Sequence, residues 1–275
     1  MLIGQNNIKK ELLKQVYNNT LPRFILLVGP KGSQKQQIAE HIVSQLVNTN
    51  KIIVEDISVE NIRNIINLSY TLKQSTVYII PNVDKMSNAA KNAMLKVTEE
   101  PPNKARFILT IEDLNNTLAT IKSRATIYNM ELFKPEELVE YYCKKYVGDR
   151  NVLDNSEILY IAETPYEIDL LVKYNIFDFI SYIHKVIDNI AAVSGANAFK
   201  ISEKINLKDD DSKYDLKLFW KGFMRVCSQN LLTDVQYYAN AIKITSDAMS
   251  KINITGINKQ MLFDKWLLEI REVWM

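Results

Sequence analysis

The chain has 275 residues, 47% of them hydrophobic, and its 34 basic and 32 acidic side chains leave a formal net charge of +2. That length exceeds the usual single-domain size and the apolar share is ample for packed cores, so two or three domains are expected. Seven Gly and seven Pro argue against collagen-like repeats, extended disorder and turn-rich all-β folds. The near-balanced charge neither demands nor excludes nucleic acid, because a phosphate-binding patch can be local.

The only cysteines, Cys143 and Cys227, lie far apart and outside any C-x-x-C spacing. Reduced thiols are expected rather than a disulfide framework or a zinc site, and no metal or cofactor is expected. The opening MLIGQNNIKKELLKQ carries charges and amides where a secretory leader needs an apolar core. No stretch approaches the roughly 20 apolar residues that span a bilayer, so a cytoplasmic protein with no membrane contact is expected.

In chain order, Ile8 to Val16 has helical spacing, and Leu21-Pro22 breaks it. Phe24 to Val28 is a short continuous apolar run, the mark of a strand buried on both faces. A glycine-containing loop follows, then helical periodicity from Ile38 to Val47. Lys51 to Asp56 predicts a strand, Val59 to Leu72 a helix, Thr76 to Ile80 a strand, and Asn88 to Glu99 a helix that Pro101-Pro102 ends. Phe107 to Ile111 and Thr126 to Met130 predict two more strands. This alternation predicts an α/β domain on a parallel sheet over residues 1–130. Beyond about Phe133 helical patterns dominate, with a helix start at Lys134 to Glu137, a small helical segment around Thr164-Pro165, and a polar stretch, Lys204 to Lys213, between helices. A small helical domain over 131–180 and a helical bundle over 181–275 are expected. In the latter, Leu216, Phe219, Trp220, Phe223 and Val226 form an apolar stripe at helical spacing that reads as core.

The loop after the first strand is Gly29-Pro30-Lys31-Gly32-Ser33-Gln34-Lys35-Gln36. Strand, loop and helix fit a Walker A phosphate loop, G-x-x-x-x-G-K-[ST], in which backbone N–H groups cradle phosphate and a Lys reaches the terminal phosphates. Gly29, Gly32 and Lys35 keep their places. Gln34 stands where the second motif Gly belongs and would crowd the approach to phosphate, and Gln36 replaces the hydroxyl that ligates magnesium. A hydrolytic site also needs a carboxylate at the end of a later strand. The candidate strand, Thr76 to Ile80, ends in Pro81-Asn82, with Asp84 three residues past the metal-ligand place. The loop is expected to be empty of nucleotide and incapable of hydrolysis.

The order of segments resembles the clamp-loader branch of the AAA+ ATPases. Ile3-Gly4-Gln5 resembles that family's "IGQ" box, and Ile62-Arg63 its "I-R" pair. The run MSNAAKNAMLKVTEEPP, Met86 to Pro102, is very similar to the family's L-S-x-x-A-x-N-A-L-L-K-x-L-E-E-P-P signature. Phe107 to Thr110 resembles the sensor-1 strand, and TIKSRA, Thr120 to Ala125, resembles T-I-x-S-R-C. Ile111-Glu112 departs from the sensor-1 residues of active members, no sensor-2 Arg stands near Ala162 to Glu167, and the four-Cys zinc module is absent. This pattern resembles the family's non-catalytic delta-prime branch.

The resemblance implies an AAA+ domain, a helical lid and a collar that joins a hetero-pentamer with gamma/tau ATPase and delta subunits. It implies that Arg124 acts in trans as an arginine finger at a neighbour's ATP site, and that the complex handles a sliding clamp and primer-template DNA. Arg63 and Lys91 are the candidate DNA contacts. Two rival readings are a weakly active ATP-binding subunit of gamma/tau type and a degenerate AAA+ adaptor in another machine.

Overall fold

The computed structural model describes residues 1–146, 161–190, 201–207, 213–252, 254 and 256–274. By contact density the chain divides into two compact units, Met1–Lys145 with Thr164–Tyr166, and Tyr146–Glu163 with Glu167–Met275.

In the first unit the alternating pattern becomes α1 (Asn6–Tyr17), β1 (Phe24–Val28), α2 (Lys35–Ser44), β2 (Thr49–Ile53), α3 (Val59–Ser69) and β3 (Ser75–Ile80). It continues through α4 (Asn88–Ala93), α5 (Leu95–Glu99), β4 (Ala105–Ile111), α6 (Ala119–Lys122), β5 (Thr126–Asn129) and α7 (Pro135–Tyr146). The strands form one parallel sheet in the order β2-β3-β4-β1-β5. Every residue of β1 is buried, and so is β3 beyond its first residue, as continuous apolar runs in a two-sided parallel sheet require. One face packs Ile8, Leu12, Ile38 and Ile42 of α1 and α2 against Ile25, Leu27, Val77 and Ile108. The other packs Ile62, Ile66, Ala90, Val97 and Ile121 of α3 to α6 against Leu26, Tyr78, Phe107 and Leu109.

Boundaries differ from expectation where burial is one-sided. The strand expected over Lys51 to Asp56 is β2, a largely exposed edge strand beginning at Thr49, so no apolar run marks its start. The single helix expected over Asn88 to Glu99 is two, α4 and α5, joined at Met94. There the Met94 N–H donates to the Lys91 carbonyl at 3.2 Å, a tightened turn, and the Met94 side chain is fully buried. Ser58 and Ser87 cap α3 and α4 by accepting from Asn61 and Ala90 N–H.

In the second unit, α8 (Pro165–Tyr174, whose first two residues belong to the first unit) leads to α9 (Ile176–Asn189), then β6 (Ile205–Asn206), β7 (Tyr214–Asp215), α10 (Leu216–Gln229), α11 (Val235–Lys251) and α12 (Lys259–Trp274). The polar stretch expected between helices contains β6, and its residues 208–212 lie outside those described. The stripe Leu216, Phe219, Trp220, Phe223 and Val226 is core, each residue at most 3% exposed. Trp266 of α12 meets Phe223 and Phe219 edge-on at 5.1 and 5.8 Å, and its indole N–H donates to Thr245 Oγ1. Gly222 permits the close approach of α9: a Cβ there would stand 2.4 Å from Ile183 Cδ1. No helix among the described residues is long and apolar enough to cross a membrane.

Candidate functional site

The loop joining β1 to α2 holds the residues expected to form a phosphate loop, and several of their side chains are bonded within the chain. Gly32 has φ +85°, and a Cβ there would lie 2.4 Å from Tyr166 Cβ and 2.7 Å from Thr164 Oγ1. Only glycine fits, because the Thr164–Tyr166 segment rests directly on the loop. The Lys31 ammonium donates to the Tyr166 hydroxyl at 2.7 Å. Gln34 adopts the left-handed conformation, φ 64°, that the missing glycine would adopt freely. Its amide oxygen accepts from Ile3 N–H and its amide nitrogen donates to the Met1 carbonyl, both at 2.9 Å. The expected crowding is thus not how this side chain is used; it ties the chain's first residues to the loop. Gln36 donates along its own helix to Glu40 at 3.0 Å.

Lys35 is 8% exposed. Its ammonium donates to the carbonyls of Gly29 at 2.6 Å and Pro30 at 2.9 Å and reaches Ser33 Oγ at 3.4 Å. Those partners account for all three of its hydrogens. Burial pulls its pKa below the usual lysine value, and the nearby carboxylates of Glu112 and Asp84 oppose that shift. At the end of β3 the metal-ligand places hold Pro81 and Asn82. Asn82 sits at φ 54° with its N–H donating to Thr110 Oγ1 at 3.1 Å. Asp84 lies in the short helical turn that follows, one carboxylate oxygen buried without a hydrogen-bond partner.

Gln5 shows what the opening motif does structurally. Its amide accepts from Glu131 N–H at 2.8 Å and donates to the Glu131 carbonyl at 2.7 Å, clasping the start of α1 to the segment after β5. Arg124 follows α6 and immediately precedes β5. It is exposed, with one guanidinium nitrogen on Glu99 Oε1 at 3.1 Å and another on the Thr120 carbonyl at 3.2 Å. Thr126, the first residue of β5, pairs with Ile25, whereas the phosphate loop leaves β1 after Val28, which pairs with Asn129. Arg124 and the loop therefore lie at opposite ends of the same two strands, separated by roughly 13 Å of strand rise.

The two candidate DNA contacts part company. Arg63 is exposed on α3. Lys91 is 6% exposed, and its ammonium donates to the Asn116 carbonyl at 2.6 Å and the Asp84 carbonyl at 3.4 Å, partners that already use two of its three hydrogens. Sequence reasoning missed Glu99 as the partner of Arg124 and the Thr164–Tyr166 segment as the cover of Gly32. Both are contacts between distant segments that no local spacing announces.

Comparison with known proteins bears on the whole arrangement. Residues 47–134 match the family model described as DNA polymerase III, delta subunit, a span that contains Arg124 and the signature run but not the phosphate loop. The DNA polymerase III subunit delta′ of Buchnera aphidicola subsp. Baizongia pistaciae is 24% identical over 248 residues, covering 79% of this chain and 71% of that protein. Over most of its length the chain is similar to DNA polymerase III delta′ proteins. The DNA polymerase III subunit gamma of Buchnera aphidicola subsp. Schizaphis graminum is 36% identical over 86 residues, covering 30% of this chain and 24% of that one. The fold is similar to that of a solved DNA polymerase III gamma-subunit-related protein of Thermotoga maritima. The TM-score is 0.53 at 16% identity, over 97% of this chain and 99% of that one.

Proposed function

We propose that this chain is a non-catalytic stator of a sliding-clamp loader, donating Arg124 to the ATP site of a neighbouring subunit. The observation that carries the reading is the separation of Arg124 from the chain's own phosphate loop: it precedes the strand that pairs with the start of β1, and the loop follows its end. A guanidinium so placed serves a site on another chain or none. Its hold on Glu99 is a surface ion pair with side-chain exposures of 36% and 55%, worth about 0.2–1 kcal/mol, so a phosphate oxyanion outcompetes it at little cost.

The loop's own chemistry supports the complementary half. Lys35 has no hydrogen left for a phosphate, Gln36 brings no hydroxyl, and Pro81-Asn82 bring no carboxylate. On this reading residues 131–180 act as the lid and residues 181–275 as the collar of a hetero-pentamer with gamma/tau and delta subunits. The chain works in the cytoplasm on a sliding clamp and primer-template DNA, with Arg63 following the phosphate backbone. Titrating the isolated chain with a fluorescent ATP analogue and magnesium tests the empty loop. No saturable binding at millimolar nucleotide is expected; saturation in the micromolar range would make this an ATP-binding subunit instead.

A further inference from the structure

Thr49 and Ser75 open β2 and β3, and Arg106 is the second residue of β4. With the C-terminal ends of α1 and α2 they line an open pocket of about 800 Å3. The strands are parallel, so this pocket lies at the end of the sheet away from the phosphate loop. It also lies on the face covered by α1 and α2, whereas Arg124 and its partner Glu99 belong to the α5–α6 side.

Two features mark the pocket as built for a ligand. Its rim carries apolar groups held in water: Tyr17 is 88% exposed and Val47 84%, next to the half-buried Leu46. It also carries the half-buried guanidinium of Arg106, whose one hydrogen bond among the described residues is long, from Nε to the Leu21 carbonyl at 3.5 Å. No carboxylate among the described residues pairs with Arg106 or with Lys14 at the rim. The charged neighbour that acts on Arg106 is Arg23, whose like charge adds to burial in pulling the Arg106 pKa down. Arg23 itself is turned to the Pro101 carbonyl and Asn103 Oδ1. A partly desolvated guanidinium facing a second cation is unfavourable until an anion joins it.

We propose that this pocket docks a segment of a partner protein that carries one carboxylate beside an apolar side chain, the carboxylate on Arg106 and Lys14 and the apolar group against Tyr17 and Val47. A planar carboxylate matches the guanidinium fork. A nucleic-acid backbone calls for a row of cations following successive phosphates, and here two cations are set among apolar and uncharged polar side chains. Arg124 and the phosphate loop contribute nothing to the lining, so the pocket and the stator role fail or stand separately.

The test pans a random phage-displayed peptide library against the immobilised full chain and measures the enriched peptides by fluorescence anisotropy. Enriched sequences are expected to place Asp or Glu within two residues of Leu, Ile or Phe. Arg106→Gln and Val47→Glu should each weaken them about tenfold or more. Val47 is exposed, so Val47→Glu tests the pocket without threatening the fold, and thermal unfolding checks both variants. No enrichment, enriched peptides lacking an acid, or binding untouched by Val47→Glu would overturn the proposal. So would a labelled single-stranded oligonucleotide that loses binding on Arg106→Gln while the peptides keep theirs.

Discussion

A lysine ammonium has three hydrogens to give, and in this chain two buried lysines, Lys35 and Lys91, each give two of theirs to backbone carbonyls. Lys35 was legible as a phosphate-loop lysine from its spacing alone, but not that its loop would consume it. The burial of Lys91 was not legible for the same reason: sequence shows a charge on a helix, while burial depends on where a distant turn puts its carbonyls. Replacing Lys91 with Met keeps the stem and removes the ammonium, leaving the Asn116 carbonyl without its 2.6 Å donor. Chemical denaturation should register a loss of about 1–3 kcal/mol, the cost of an unsatisfied buried acceptor. Unchanged stability would mean that Lys91 is solvated after all. Gln34 offers a third case. Its left-handed backbone preserves the loop's form after the glycine is gone, and the strain is offset by hydrogen bonds to Met1 and Ile3 that no motif encodes.

Among the elements, the buried strands were the most legible, since a continuous apolar run has no other comfortable home in a parallel sheet. Edge strand β2 and the α4–α5 break were not, because exposure removes the apolar signal and a tightened turn leaves none. Helix α10 carries both its expected core stripe and a titratable group, Cys227, fully buried and pushed up to about 12 by desolvation. In the unfolded chain the thiol ionises near its ordinary value, so between about pH 9 and pH 12 the folded state retains a proton that the unfolded state has lost. Stability therefore falls as pH rises through that window. The half-buried tyrosines Tyr182, Tyr214 and Tyr237, all raised chiefly by desolvation, act in the same direction. The thiol's share is isolated by comparison with Cys227→Ala: from about pH 8 to pH 10.5 the wild type should lose about 1–2 kcal/mol more than the variant. Equal losses would place the Cys227 thiol in contact with water.

For the whole molecule, the α/β class and the clamp-loader resemblance were legible because most places of the signature from Met86 to Pro102 are kept, and TIKSRA departs from T-I-x-S-R-C only at Ala125. What the sequence did not give was geometry: the register of β5 on β1 sets Arg124 and the loop after β1 at opposite ends of these two strands, which supports the reading of Arg124 as acting in trans. The most direct measurement is the ATP hydrolysis rate of a reconstituted, DNA-stimulated loader in which only the subunit receiving Arg124 keeps an intact phosphate loop. With wild-type chain the rate should be high, and with Arg124→Ala or Arg124→Lys it should fall on the order of 10³-fold, since an ammonium does not reproduce the guanidinium fork. The isolated chain should be inactive throughout. An unchanged rate with Arg124→Ala would contradict the finger role.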